Sequence, residues 1–155
     1  MEERATDTTL AIRPAPVEAD LGPLIRPPTP DLEPFSRGLE EGRLVLQRCS
    51  GCARSRWPLG PICPHCGSAE FAWDALGCRG RVHSWIRCRR SFLAQFEPLV
   101  PYVVVSAELE DGGARLVGRL REDGSAPRIE MPVRAVVERW RDGSHVLAFE
   151  EEEAR

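Results

Sequence analysis

The sequence of 155 residues contains no lysine, because all 21 basic residues are arginines. Schiff-base chemistry and catalysis by a lysine nucleophile are therefore excluded. The chain has one tyrosine and no flavin- or nicotinamide-binding motif, so an electron carrier is not indicated. No segment approaches the roughly 20 consecutive apolar residues that a membrane-spanning helix requires.

The first ten residues, MEERATDTTL, are polar and acidic without an apolar run, unlike a secretory signal peptide. Cysteines in the reducing cytosol are more often metal ligands than disulfides. We therefore expect a cytoplasmic protein. The net charge of −3 argues against a dedicated nucleic-acid-binding protein, since such proteins carry an excess of basic residues.

Four of the six cysteines form two C-x-x-C pairs separated by ten residues, namely Cys49, Cys52, Cys63 and Cys66. A tight turn aims the two thiolates of a pair at one point, so two pairs complete a tetrahedral four-sulfur site. Because protein fills all four positions, the metal should be structural. The pattern predicts a zinc ribbon, and rubredoxin-type iron, which uses the same ligands, stays open.

Prolines and turn residues divide the chain into four segments. Residues 1–34 carry half of the 14 prolines and lack an apolar period, which predicts an extended arm that becomes ordered on a partner. Residues 35–75 are predicted to form a short helix, 35–42, followed by the ribbon. We expect a β-domain in residues 76–150 and a solvated acidic tail in residues 151–155.

The segment 76–150 contains short runs of alternating or β-branched residues separated by glycine turns. Five strands without a long helical pattern predict a small closed or partly open barrel, since closure removes exposed strand edges. Strict alternation in the first strand puts Val82 and Ile86 on one face and Trp85 and Arg87 on the other. The predicted strands are 81–87, 102–109, 114–120, 128–140 and 145–149.

These segments occur in an order typical of a known family. The runs FSRGLEEGRLVLQRCSGC, CPHCGS, GRV, PYVVVSAELEDGGARLVGRL and MPVRAVVERW resemble the zinc-ribbon and OB-fold family of acyl-CoA-associated proteins, domain of unknown function 35. The resemblance covers residues 35–149. It implies a mainly β protein with an N-terminal arm and short helix, a rubredoxin-like zinc ribbon and a five-stranded OB-fold barrel.

The resemblance also implies a function. It indicates a non-catalytic accessory subunit, bound to a thiolase-superfamily enzyme that performs acyl transfer, thiolysis or retro-aldol cleavage on acyl-CoA thioesters. Some members of the family accompany a hotdog-fold hydratase instead. We expect the ribbon and the N-terminal arm to dock on the catalytic subunit and the barrel to support or shield its acyl-CoA site.

Three positions depart from the family pattern. Cys78 stands at a glycine of the turn into the barrel, and Ser36 at the second position of an aromatic pair. Glu130 stands where a glycine often precedes the final long strand. None of these positions touches the metal site, so they bear on the ligand groove and the partner surface.

An arginine-rich strand is a candidate binding surface. OB-folds bind ligands on a strand face through aromatic and basic side chains, which suits an acidic partner, the phosphates and adenine of coenzyme A, or single-stranded nucleic acid. A free-standing nucleic-acid-binding module is therefore the main alternative, and an independent acyl-CoA carrier is a third. The predicted surface consists of Arg79, Arg81, Trp85 and Arg87, with Arg89 and Arg90 nearby.

Two spare thiols, Cys78 and Cys88, flank His83 in the sequence. A Cys78–His83 nucleophile is conceivable, but free cysteines commonly behave as small buried hydrophobes. No nucleophilic-enzyme motif surrounds these residues, so we predict no catalytic residue in this chain. His65, inside the second C-x-x-C pair, and His145, after a turn, are predicted to face solvent.

Overall fold

The computed structural model describes residues 7–21, 29–121 and 126–152. The described chain is mainly β, as predicted, and none of its helices is long and apolar enough to cross a membrane. A 3-10 helix, Ala94–Leu99, lies between the strands Arg79–Cys88 and Tyr102–Leu109. The other elements are β1 (Ala11–Pro14), α1 (Glu33–Glu40), β2 (Leu44–Cys49), β3 (Ser55–Arg56), β4 (Phe71–Leu76), β5 (Arg79–Cys88), β6 (Tyr102–Leu109), β7 (Arg115–Arg121), β8 (Pro132–Arg139) and β9 (His145–Glu151).

Helix α1 begins two residues before the predicted start. Pro34 lies in its first turn, where a proline is tolerated because the first backbone N–H groups have no partner within the helix. Gly42 follows the helix with a φ of +70°, a conformation that ends helices and favours glycine. Leu39 is buried, and Phe35 stacks against Trp57 with ring centroids 4.9 Å apart.

The ribbon is a three-stranded antiparallel sheet in the order β3-β2-β4. Alternation along β2 buries Leu44 and Leu46. These two leucines join Leu76 of β4 in the same hydrophobic cluster as the interior of the barrel. The base of the ribbon therefore packs directly on the second domain.

The second domain is the predicted five-stranded barrel. Its strands pair in a ring, β5-β6-β7-β9-β8 and back to β5, and the β7–β9 pair is parallel. Every second residue of β6 is buried. The ring encloses an apolar interior that includes Val82, Val103, Val105, Leu116, Leu120, Met131, Val133 and Phe149.

A β-bulge in β5 overturns the strict alternation expected for this strand. The register with β6 shifts between Val82 and Ser84, so His83 is an extra residue. Paired residues of antiparallel strands share a face, and Trp85 pairs with the buried Val105. Trp85 therefore lies on the same face as Val82, and Ile86 lies on the opposite, outer face.

In the described part of the N-terminal arm, residues 11–14 form a strand that lies against the barrel of the same chain. Strand β1 pairs in parallel with residues 136–139 of β8, whereas β5 pairs with residues 132–134 of the same strand. Asp7 binds Arg134 at 2.5 Å and accepts a backbone hydrogen bond from Cys78. Residues 7–21 thus contact the barrel of their own chain, while residues 1–6 and 22–28 lie outside the described residues.

The expectation that a solvated tail begins at residue 151 is wrong for its first two residues. Strand β9 includes Glu151, whose carboxylate lies 3.1 Å from Arg128. Glu152 lies 3.0 Å from Arg79, and its backbone N–H donates to the carbonyl of Pro132. Barrel arginines and a strand edge therefore fix these glutamates, and residues 153–155 lie outside the described chain.

The β6–β7 turn joins the barrel to the ribbon. The carboxylate of Asp111 accepts hydrogen bonds from Arg48 at 2.8 Å and from the backbone N–H of Gly77 at 3.0 Å. The carbonyl of Gly112 accepts from the backbone N–H of Ser55. A Cβ atom on Gly112 would lie 1.9 Å from the Ser55 hydroxyl. We call this contact the joint.

Candidate metal centre and partner surface

The four predicted ligands converge at the end of the ribbon. Their sulfur atoms lie within 4.8 Å of one another. The Cys49–Cys66 and Cys52–Cys63 sulfurs are 3.6 and 3.7 Å apart. A zinc ion with bonds of about 2.3 Å places tetrahedral sulfur ligands roughly 3.8 Å apart. The cluster therefore has the dimensions of a four-thiolate zinc site.

Two equivalent turns hold the cysteine pairs. In each turn, the residue four positions after the first cysteine donates its N–H to that cysteine's carbonyl: Ala53 to Cys49 and Gly67 to Cys63, both at 2.9 Å. Both donors have positive φ, 59° and 76°, and the first is not a glycine. Gly51 lies in a tight space, because its Cβ would lie 3.3 Å from the sulfur of Cys66.

The local electrostatics favour a cation between the sulfurs. Burial raises the pKa of Cys49, but backbone hydrogen bonds from Cys52 and Gly51 outweigh it and lower this pKa to about 6. The backbone N–H of Ser68 lowers the pKa of Cys66, but the Cys49 thiol and burial raise it to about 11. Neighbouring thiolates repel one another, and a divalent cation removes that conflict.

The residues therefore fit a structural zinc ion bound by Cys49, Cys52, Cys63 and Cys66. Bound zinc would link the two turns covalently and neutralise thiolate charge. His65 is exposed, with its Nδ1 3.1 Å from Arg54, so it lies outside the sulfur cluster. The prediction of a structural metal with four cysteine ligands is confirmed.

Sequence reasoning missed Arg56, which is buried behind the metal site. Its guanidinium lies 4.9 Å from the centre of the Phe71 ring and donates hydrogen bonds to the carbonyls of Gly60 and Ala69. The side chain thus ties the loop between the cysteine pairs to β4. No local motif marks this role, because its partners are backbone carbonyls.

The bulge divides the predicted arginine surface between two faces of the sheet. Arg79 and Arg81 lie on the outer face, where they approach Glu152 at 3.0 Å and Glu110 at 3.9 Å. Trp85 and Arg87 lie on the inner face, opposite Val105 and Val103. The tryptophan is nevertheless 40% exposed, so it lies where the barrel opens to solvent.

The spare thiols are in protected positions. Cys78 is buried and donates its S–H to the carbonyl of Asp7 at 3.1 Å. Burial raises the pKa of this thiol, which disfavours the thiolate that a nucleophile needs. Cys88 pairs across the strands with Tyr102, and burial and this thiol raise the pKa of Tyr102.

A shallow groove of about 470 Å³ lies between α1 and the ribbon sheet. Charged and apolar side chains both line its walls, and the charged ones already form two ion pairs, Arg37 with Glu33 and Arg43 with Glu41. The groove therefore offers little unbalanced charge to a ligand. Its apolar lining consists of Pro34, Val45, Trp73 and Ala75.

The domain order and the metal site agree with two family models. Residues 36–72 match "ChsH2, rubredoxin-like zinc ribbon domain", and residues 73–138 match "ChsH2, C-terminal OB-fold domain". The chain belongs to the ChsH2 family. At one of the three positions that depart from the family pattern, the backbone keeps the conformation of a glycine. Glu130 has a φ of +63°, which a glycine would adopt without strain.

Two solved structures are similar to this chain. The structure titled "Ltp2-ChsH2(DUF35) aldolase" matches with a TM-score of 0.68 and 35% identity, over 81% of this chain and 98% of that chain. A protein of the same domain family from Sulfolobus solfataricus matches with a TM-score of 0.56 and 17% identity, over 79% of this chain and 86% of that chain. The second likeness shows the fold alone.

Two curated proteins are also similar. A "Probable enoyl-CoA hydratase alpha subunit" from Thermomonospora curvata is 44% identical over 99 residues, 61% of this chain and 29% of that protein. A "DUF35 domain-containing scaffold protein" from Methanocaldococcus jannaschii is 33% identical over 78 residues, 50% of this chain and 54% of that protein. The chain therefore matches about a third to a half of the length of these curated relatives.

Proposed function

We propose that this ChsH2-family chain is a non-catalytic accessory subunit of an acyl-CoA enzyme complex. The observation that carries the proposal is the likeness to a chain of a structure named as an Ltp2-ChsH2 aldolase, at 35% identity over 98% of that chain. The names of the curated relatives, a hydratase subunit and a scaffold protein, support the same role.

The finer proposal concerns the partner and its reaction. The catalytic subunit is a thiolase-superfamily enzyme that performs acyl transfer, thiolysis or retro-aldol cleavage on an acyl-CoA thioester. This chain stabilises the complex, and its barrel supports the acyl-CoA site through strand β5, which carries Trp85 and Arg87 on its inner face and Arg79 and Arg81 on its outer face. A hydratase partner is the alternative that the Thermomonospora relative favours.

The chemistry of the described residues suits a supporting role. Four protein ligands leave the proposed zinc ion no open position for water or substrate. The buried Cys78 is held as a thiol, and the chain offers no lysine. The joint and the shared hydrophobic cluster fix ribbon and barrel together, as a scaffold requires.

Co-expression with candidate acyl-CoA enzymes from the same genome tests the proposal. Size-exclusion chromatography with light scattering should show a hetero-oligomer, and acyl-CoA turnover should appear with the complex and not with this chain alone. Cys78→Ala and His83→Ala should leave turnover intact. Turnover by the isolated chain, or its loss in either variant while the complex persists, would show that the chain is catalytic.

The nucleic-acid alternative rests on the partly exposed Trp85 beside Arg87. We expect at best weak binding to single-stranded oligonucleotides at physiological salt, because the chain is acidic overall and phosphate is repelled. Fluorescence titration measures this affinity. Length-dependent binding below micromolar concentration that Trp85→Ala abolishes would favour the alternative.

A further inference from the structure

The loop that follows β5 presents an aromatic side chain to solvent. Phe92 is 92% exposed, so its own chain covers almost none of the ring. Exposed apolar area is unfavourable in water, and a phenyl group in this position gains contacts when a second molecule covers it. This chain by itself cannot form an enclosed pocket around Phe92.

Further exposed apolar side chains lie on the outer face of the barrel. Ile86 of β5 is 61% exposed and pairs with Val104 of β6, and Val117 of β7 is 64% exposed and pairs with Ser106 of β6. Paired residues share a face, so both aliphatic groups lie on the outer face, one on each side of β6. We define the β5–β6 surface as Ile86, Phe92, Leu93 and Val117.

The loop is held in a defined conformation. The hydroxyl of Ser91 donates to the carbonyl of Leu93 at 2.9 Å and accepts from its N–H at 3.1 Å. Phe96, two residues beyond the turn, packs edge-on against the buried Trp140 and lies 6.3 Å from Tyr102. An anchored loop loses less conformational freedom when it binds, and this favours association.

The loop carries positive charge close to Phe92. Residues 86–96 contain three arginines and no acidic residue, whereas Glu97 follows in the 3-10 helix and Arg79 and Arg81 already approach Glu152 and Glu110. Arg89 and Arg90 are exposed in the loop itself. An apolar surface bordered by arginine is electrostatically complementary to an apolar pocket bordered by carboxylates.

We propose that the β5–β6 surface is where the catalytic subunit docks, with Phe92 filling an apolar pocket of that subunit and Arg89 and Arg90 facing its carboxylates. The inference rests on the proposed function and specifies its interface. Aromatic and arginine side chains are the usual energetic centres of protein interfaces. The ring of Phe92 could stack on a base, but the other three members of the surface are aliphatic and provide no stacking face, so a protein is the better fit.

The proposal changes the expected location of the interface. The ribbon and the N-terminal arm were the docking elements expected from the sequence, but residues 11–14 already pair with β8. On the ribbon, Phe71 is covered on one side by the guanidinium of Arg56. Ile62 is an exposed apolar side chain on the ribbon, with an exposed fraction of 58%. It is the control residue for docking through the ribbon.

The test uses the full chain and the purified acyl-CoA enzyme identified by the co-expression, with affinity measured by biolayer interferometry. Phe92→Ala should weaken binding by about 30-fold or more, as expected for an interface centre, and Ile62→Ala by less than about 3-fold. Reversing charge with Arg90→Glu should slow association, most strongly at low salt. Unchanged melting temperatures verify that the variants are folded.

The outcomes separate the two proposals. If the wild-type chain binds and Phe92→Ala binds equally well, or Ile62→Ala alone loses affinity, the β5–β6 surface is not the interface and the proposed function stands. If the wild-type chain does not bind an acyl-CoA enzyme, the proposed function and this inference both fail. A self-association, or an oligonucleotide affinity, that Phe92→Ala abolishes would assign the surface to a different occupant.

Discussion

The two halves of this chain keep their structure by different means. The barrel surrounds an interior of valine, leucine and phenylalanine side chains. In residues 49–70, the buried side chains are Cys49, Ser55, Arg56 and Cys63, with no aliphatic group among them. The hydrophobic effect therefore stabilises the barrel, whereas the end of the ribbon depends on its metal and on hydrogen bonds to Arg56.

The largest expected effect is loss of the metal. Structural zinc supplies roughly 10 to 16 kcal/mol of apparent folding free energy in small zinc peptides. Cys63→Ser should therefore unfold residues 49–70, while Leu44, Leu46 and Leu76 keep the base of the ribbon on the barrel. Metal analysis should give one zinc per chain for the wild type.

Hydrogen exchange would show the difference between the two halves. In Cys63→Ser, amides of residues 49–70 should exchange rapidly while those of β6 and β7 stay protected. Uniform protection in both halves would contradict a metal-dependent ribbon. Equal loss of protection in both would mean that the barrel depends on the metal as well.

The second prediction concerns the charges of the barrel. Glu138 is 1% exposed and binds Arg119 and Arg121. Glu138→Gln should destabilise the barrel by about 3 kcal/mol, because breaking a buried ion pair leaves its partner charges uncompensated. Glu108→Gln removes an exposed ion pair with Arg115 and should cost less than about 1 kcal/mol.

Urea denaturation followed by tryptophan fluorescence measures these two variants. Similar midpoints for Glu138→Gln and Glu108→Gln would show that the network around Glu138 adds no stability. A lower midpoint for Glu138→Gln with unchanged metal content would confirm that this loss belongs to the barrel and not to the ribbon.

The third prediction concerns the joint. Gly112 and Gly113 both have positive φ, but a Cβ meets Ser55 at the first position and open space at the second. Gly113→Ala should cost about 1 kcal/mol for backbone conformation, and Gly112→Ala about 2 kcal/mol or more, since the turn must also move away from the ribbon. Equal thermal shifts of the two variants would mean that the joint is not a tight contact.

The smallest expected effect is a pH dependence. Burial raises the pKa of Glu150, but the hydrogen bond and charge of Arg13, with Arg121, lower it below its usual value of 4.5. A carboxyl group with a lowered folded-state pKa stabilises the fold above its unfolded-state pKa, and this contribution disappears as pH falls through the folded-state value. Wild-type stability should therefore decline more steeply below about pH 4.5 than that of Glu150→Gln. Parallel acid-denaturation curves would contradict the prediction.

The sequence predicts the metal site well because ligand spacing is local. Two C-x-x-C pairs and a left-handed Gly67 constrain short turns without any distant contact. Strand positions in the barrel follow from alternation and glycine turns for the same reason. The overlap of the predicted and observed strands is closest where the alternation is regular, as in β6.

Features that depend on distant partners were not predictable. His83 looks like an ordinary strand residue, and its role as a bulge emerges from the pairing of β5 with β6. Arg13 and Glu150 are 137 positions apart, yet they bind each other at 2.9 Å. Phenylalanine is usually buried, so the sequence alone would place Phe92 in the core. Its exposure follows from the path of the loop.

The joint has a consequence for exchanging modules between relatives. Asp111 and Gly112 belong to the barrel by sequence, but their contacts are with Arg48 and Ser55 of the ribbon. A chimaera that grafts a foreign ribbon onto this barrel must carry a matching β6–β7 turn with it. In such a chimaera, the turn of the β6–β7 hairpin should therefore come from the same parent as the ribbon. A single junction in the linker between the two domains would separate them.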